Sequence, residues 1–235
     1  MRKQIVLLVL MLIIVTAKAQ FSIGYRQNIA NHGIYLEPPS LELFQAKNIK
    51  PSFGLVISYI NMNNAGIQAE INYAQKGWRE VDDSTAGSFF ERNINYLEIP
   101  VLTHFEIGSG KVRPVILAGP FIAFKLSESS NSENFDRLFT QNAAYNHYEE
   151  SVQSINIGIK AGLGLRYNIS DRFGVYVEGI YTIDMAGGTD VFKDQPKGIK
   201  ASRLKELGGS IGFLWHIIPQ KEPKAVDGYT PKEDL

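Results

Sequence analysis

The sequence predicts an all-β fold, an eight-stranded antiparallel up-and-down transmembrane β-barrel. Three observations carry that expectation. Segment after segment alternates apolar and polar residues with a period of two, the mark of strands with one apolar face. The connections between those segments alternate short and long without exception. The chain also opens with an export-type leader.

The leader comes first. Arg2 and Lys3 precede the apolar run IVLLVLMLIIV at 5–15, and Ala17-Lys18-Ala19 follows with small residues spaced for cleavage. The run is too short for a spanning helix, which needs about 20 residues. Residues 1–19 therefore read as a signal peptide, with Gln20 starting the exported chain. Lys plus Arg and Asp plus Glu both total 24, which gives no basic surface for nucleic acid. The absence of cysteine excludes disulfides, thiolate metal sites and thiol nucleophiles.

Strands are expected near 21–28, 52–60, 66–77, 93–107, 112–126, 154–168, 172–183 and 206–217. NMNN (61–64), GSGK (108–111) and ISD (169–171) join three pairs of them and carry tight-turn chemistry. The other connections, 29–51, 78–92, 127–153 and 184–205, are expected to be long loops. Short turns at one end and long loops at the other is the asymmetry of outer-membrane barrels. The barrel is expected to span 20–218, and the polar, proline-containing 219–235 to form a periplasmic tail.

Periodicity gives two faces but not which one is wet. The apolar face carries Ile67, Ile71 and Tyr73, then Ile157, Ile159 and Leu163, then Val175 and Val177, then Phe213 and Trp215. The polar face is glycine-rich and holds charges in mid-strand: Glu70, Glu98, Lys160, Arg166 and Glu178. Glycine weakens a solvent-facing strand, whereas a crowded lumen can use small residues beside long ones. The apolar set is therefore assigned to membrane lipid and the five charged residues to a lumen network. With the ISD turn setting register, Lys160 and Glu178 are expected to pair. Tyr73, Tyr167, Tyr181 and Trp215 are expected at strand ends, as interfacial girdles. The alternative is a soluble, exported, lipocalin-like barrel, which would turn Ile67, Ile71, Val175 and Val177 inward around a small apolar ligand.

The stretches AEINYAQKGW (69–78), NYLEIPVLTHF (95–105), RPVILAGPFIAFKL (113–126) and GIKAGLGLRYNISDRFGVYVEGIYTID (158–184) resemble the PorT-like outer membrane β-barrel family of Gram-negative bacteria. The resemblance implies an outer-membrane location and insertion by the barrel assembly machinery. Glu206, Gly208, Ile211 and Phe213 resemble the insertion signal of a final strand. It implies no particular activity.

No nucleotide-binding or metal-binding motif is present, and neither cofactor nor catalysis is expected. His147 beside Glu149 and Glu150, together with Asp82, Asp83 and Ser84, are polar loop residues without a compelling spacing. His32 lies in the first long connection, and His104 and His216 are expected to be structural. A structural or binding role through the surface loops, contacting a protein or ligand, is the functional expectation. Pro100, Pro114 and Pro120 fall within strands and are expected to sit at bulges.

Overall fold

The computed structural model describes residues 19–37, 45–61, 63–81, 88–133, 150–185, 190–194 and 199–218. The leader before Ala19, the tail at 219–235, and Asp82, Asp83, Ser84, His147 and Glu149 lie outside them.

The strands are β1 (Ala19–Glu37), β2 (Gln45–Ala46), β3 (Asn48–Asn61), β4 (Ala65–Val81), β5 (Phe89–Glu106), β6 (Val112–Glu133), β7 (Ile155–Ser170), β8 (Phe173–Asp184) and β9 (Ala201–Ile218). Eight of them form a closed ring in which each pairs antiparallel with its neighbours in sequence; β9 returns to β1, and β4 pairs with β5. The two-residue β2 is added to the upper part of β4. Closure leaves no sheet edge in the lipid, which is what a strand needs to cross a bilayer.

The first two short turns stand where the sequence puts them, and the third lies slightly later, centred on 171–172 where 169–171 was expected. In the first, Asn64 adopts a left-handed φ of 59°, a conformation asparagine tolerates, and Asn61 Oδ1 accepts from the backbone of Asn63 and Ala65. Gly108 supplies the positive φ of the second turn, and the Asn64 side chain donates to its carbonyl at 2.9 Å.

The four long connections are shorter than the sequence suggests, because strands claim much of them. β1 runs on through Glu37, β4 to Val81, β6 to Glu133, and β9 begins at Ala201. β6 has 22 residues. At about 3.3 Å per residue and a tilt near 40°, that is roughly 55 Å along the barrel axis, against a hydrocarbon core of ~30 Å.

The reason is a change of hydrophobic phase. In β1 the apolar side chains Ile23 and Ile29 point outward on odd positions, whereas Ile34 and Leu36 are fully buried on even ones. β5 likewise passes from inward Phe90 and Ile94 to outward Val101 and Phe105, and β9 from inward Leu204 to outward Leu207 and Ile211. Each strand keeps its pleat while its apolar side moves from the inner face to the outer. The girdle aromatics Tyr73 and Trp215 lie near the limits of this outward apolar band, but β4 and β9 continue past them.

The prolines do not sit at bulges. Register shifts occur between Phe21 and Ser22, Asn95 and Tyr96, and Asn168 and Ser170. The β4–β5 and β5–β6 registers are the same on either side of Pro100. An antiparallel ladder alternates its bonding partners, so one missing N–H interrupts pairing locally without forcing a slip.

Most strand glycines are enforced by closeness. A Cβ at Gly212 would fall on the Tyr176 hydroxyl and the Tyr25 carbonyl oxygen, whereas one at Gly179 would meet nothing nearer than 3.9 Å. Gly212→Val should therefore destabilise the barrel by about 1–3 kcal/mol, as overpacking does. Gly179→Ala should leave it unchanged, with denaturant unfolding in lipid vesicles as the measurement.

Candidate functional site

The inner face is the chemically rich surface, and it is built in storeys. Arg26 on β1 stands opposite Gly54 on β3 and Gly212 on β9, so no side chain flanks it in either ladder. It reaches past both glycines to ion-pair with Glu70 on β4 and Glu178 on β8. Ser210 accepts from the same guanidinium at 3.0 Å, while Gln68 and Asn72 donate to the Glu70 carboxylate. Guanidinium and carboxylates are almost wholly buried, and every charge has a partner.

On the long-connection side, Glu98 takes the ammonium groups of both Lys76 and Lys160. Lys160 stands opposite Gly119 on β6 and extends past it to β5. Lys76 also lies 3.7 Å from Glu206, which accepts from Asn28 at 2.8 Å. On the short-turn side, Glu106 gathers Arg166, Arg113 at 3.0 Å and His104 Nε2 at 3.2 Å. His104 Nδ1 faces Gln68 Oε1 at 3.2 Å, which links this layer to Glu70. His216 Nδ1 and the Ser22 hydroxyl share a bond of 2.8 Å.

All five expected lumen residues, Glu70, Glu98, Lys160, Arg166 and Glu178, are buried on the inner face. The structure joins only one pair of them directly, Glu98 with Lys160. Lys160 and Glu178 do not pair. Lys160 lies opposite Thr182 and Glu178 opposite Gly164, because the turn centres on 171–172 and the ladder shifts at Asn168 and Ser170. Glu70 and Glu178 meet through Arg26, and Arg166 through Glu106. Arg26, Lys76, Glu106 and Arg113 escaped the sequence reading, and Glu206 entered it only as part of an insertion signal, although two-residue parity already puts Arg26, Lys76, Glu106 and Glu206 on the polar face.

Beyond these ion pairs the lumen becomes largely apolar, with Glu80, Arg92 and Asp184 buried among the apolar side chains. Ile34, Leu36, Trp78, Phe90, Ile94, Tyr96, Phe121 and Leu204 form one cluster with Val152, Val191, Phe192 and Ile199, which come from the connections after β6 and β8. The Phe192 ring meets Trp78 edge-on, with centroids 5.8 Å apart at 89°. Three charged side chains fasten the segment around Val152. Glu128 accepts from its amide, Lys125 donates to its carbonyl, and Arg92 donates to the Glu150 carbonyl. Val152 and Phe192 also form a bridge.

The expected lipid-facing residues all point outward. Leu163 is 66% exposed, Trp215 58%, Ile67 55% and Val177 50%; Ile71, Ile157, Ile159 and Phe213 are likewise exposed, and Tyr73 and Val175 partly so. A lipocalin-like cavity needs the opposite arrangement, with Ile67, Ile71, Val175 and Val177 inside. That reading is overturned.

Residues 16–184 match the family model described as outer membrane protein beta-barrel domain. The chain belongs to that family. No curated protein matches the chain. Among solved structures it is similar to Ail of Yersinia pestis, at 13% identity over 84% of this chain and 97% of that one, with a TM-score of 0.36. OprG from Pseudomonas aeruginosa gives 12%, 85%, 95% and 0.42. The outer membrane enzyme PagL gives 14%, 80%, 97% and 0.46. The apolar band of this outer membrane barrel accordingly contacts membrane lipid.

Removing one member of a buried ion pair strands the others. Arg26→Met should lower stability in lipid by about 3–5 kcal/mol, because Glu70 and Glu178 would keep buried, uncompensated charges. The triple variant Arg26→Met, Glu70→Leu, Glu178→Leu should recover most of that loss in the same unfolding experiment.

Proposed function

We propose that this barrel is a closed, non-catalytic platform whose role is exerted at its long-connection rim, through contact with a protein or ligand. The observation that carries the reading is the double filling of the lumen, with paired charges in the membrane and an apolar cluster at the mouth. An eight-stranded ring has room for little beyond its own side chains, and here those side chains also bind one another. Val152, Val191, Phe192 and Ile199, from the described segments after β6 and β8, are packed into that mouth, which favours a fixed arrangement of those segments. Loops held on a rigid scaffold are where binding function concentrates.

Within this reading the chain is a PorT-like member of the family. Residues 1–19 direct export and the barrel assembly machinery inserts the protein, with the short turns and the 219–235 tail in the periplasm. Ser130, exposed near the end of β6, then lies at the cell surface.

Cysteine labelling tests the orientation. With a membrane-impermeant thiol reagent on intact cells, Ser130→Cys should react, and Asn63→Cys should react only after the outer membrane is broken. The reverse pattern would overturn the rim assignment. In planar bilayers the purified barrel should show no steady conductance; regular single-channel steps would show that the lumen is a path and not a plug.

A further inference from the structure

The outer surface carries one feature that neither lipid contact nor the proposed rim function accounts for. Gly179 on β8 and Gly209 on β9 are direct ladder partners, and both face outward. At the other described strand glycines an added Cβ would meet an atom at 3.0 Å or closer; at these two the nearest atoms are 3.9 and 3.8 Å away. Backbone packing therefore does not require glycine here. What the pair produces is a shallow depression of about 490 Å³ in the lipid-facing wall, bordered by Ile29, Leu163, Val177 and Ile211.

Gln27 lies at the edge of this depression. It points outward within the apolar band, between Phe53 on β3 and Ile211 on β9, with Ile29 beyond it on its own strand. Its Oε1 accepts from the Tyr25 hydroxyl at 2.8 Å. Among the described residues nothing accepts from its amide nitrogen. Hydrocarbon chains offer no acceptor, so the two N–H groups of that amide are left unsatisfied in lipid.

We propose that this face is the contact between two copies of the barrel in the membrane. Small residues let two backbones approach closely, and an intramembrane carboxamide supplies hydrogen bonds across the contact. A two-fold interface presents the same patch from both sides, and a carboxamide is both donor and acceptor, so Gln27 can satisfy its own counterpart. The flanking Leu163, 66% exposed, and Leu207, 65% exposed, stand proud of the glycine floor and supply the ridges that would fill the opposing depression. A lipid chain could occupy the space but would leave the amide unpaired, which is why the second copy is the occupant.

The test uses full-length protein in lipid vesicles, labelled at Ser130→Cys with donor or acceptor dye, and follows energy transfer against the protein-to-lipid ratio. The wild type should show saturable self-association. Gly209→Leu, which fills the depression, and Gln27→Leu, which removes the hydrogen bonds, should each raise the dimer dissociation constant by about tenfold. Ala69→Leu, on the far wall, should change nothing. Heat-modifiable migration on gels confirms that each variant is folded, and the open space at Gly209 allows its new side chain. A wild type that stays monomeric at all ratios overturns the proposal, as does a dimer that both variants leave intact. Native mass spectrometry covers the other occupant: a monomer that carries one tightly held lipid, lost in Gly209→Leu, would assign the depression to lipid and overturn the dimer.

Discussion

A strand in a closed ring has a fixed pleat, so every second side chain points in whatever the surroundings are. Along this barrel the surroundings change from lipid to water while the strands run on without interruption. The inside must therefore be polar where the outside is apolar, and apolar where the outside is polar. Ile29 and Ile34 in β1 are five residues apart and sit on opposite faces for this reason. The two-storey lumen, the long strands and the apolar cluster at the mouth all follow from that exchange.

The lower storey poses the harder energetic problem. A ring of eight strands encloses too little space for bulk water, so its charges must satisfy one another. Glycine opposite a long charged residue is the device used. Arg26 has glycine on both neighbouring strands, and Lys160 has Gly119 on the side toward its partner. Each charged group can then reach a partner two strands away. The glycine content of the inner face and the reach of its ion pairs are one arrangement.

Much of this was legible in the sequence. The strand number, the three tight turns, the closed up-and-down order and the outward set from Ile67 to Trp215 follow from two-residue alternation and turn chemistry. Strand ends were not legible, because the phase change spoils alternation in any window that spans it. Around Trp78, Phe90 and Leu204 the apolar residues have moved to the inner face, and a reading tuned to an outward apolar stripe sees only loop. The Lys160–Glu178 pairing failed for a narrower reason. A shift of two residues at one turn moves a charge to a different neighbour, and turn residues alone do not specify the ladder shift at Asn168 and Ser170. Arg26 was missed although its parity was readable, because pairing between strands far apart in sequence depends on ring closure.

The upper storey has the make-up of a small water-soluble core, with Trp78 and Phe192 at its centre and polar side chains outside. Its apolar residues come both from strands that continue into the membrane and from the connections at the rim. Anything that pulls Val152 or Phe192 out of the cluster exposes apolar surface and also breaks the bonds that Glu128, Lys125 and Arg92 make to the backbone around Val152. The described segments around Val152 and Phe192 and the apolar filling of the mouth are thus held by the same contacts. If the rim binds a partner as proposed, these described segments at the mouth would add little to the ordering cost of binding.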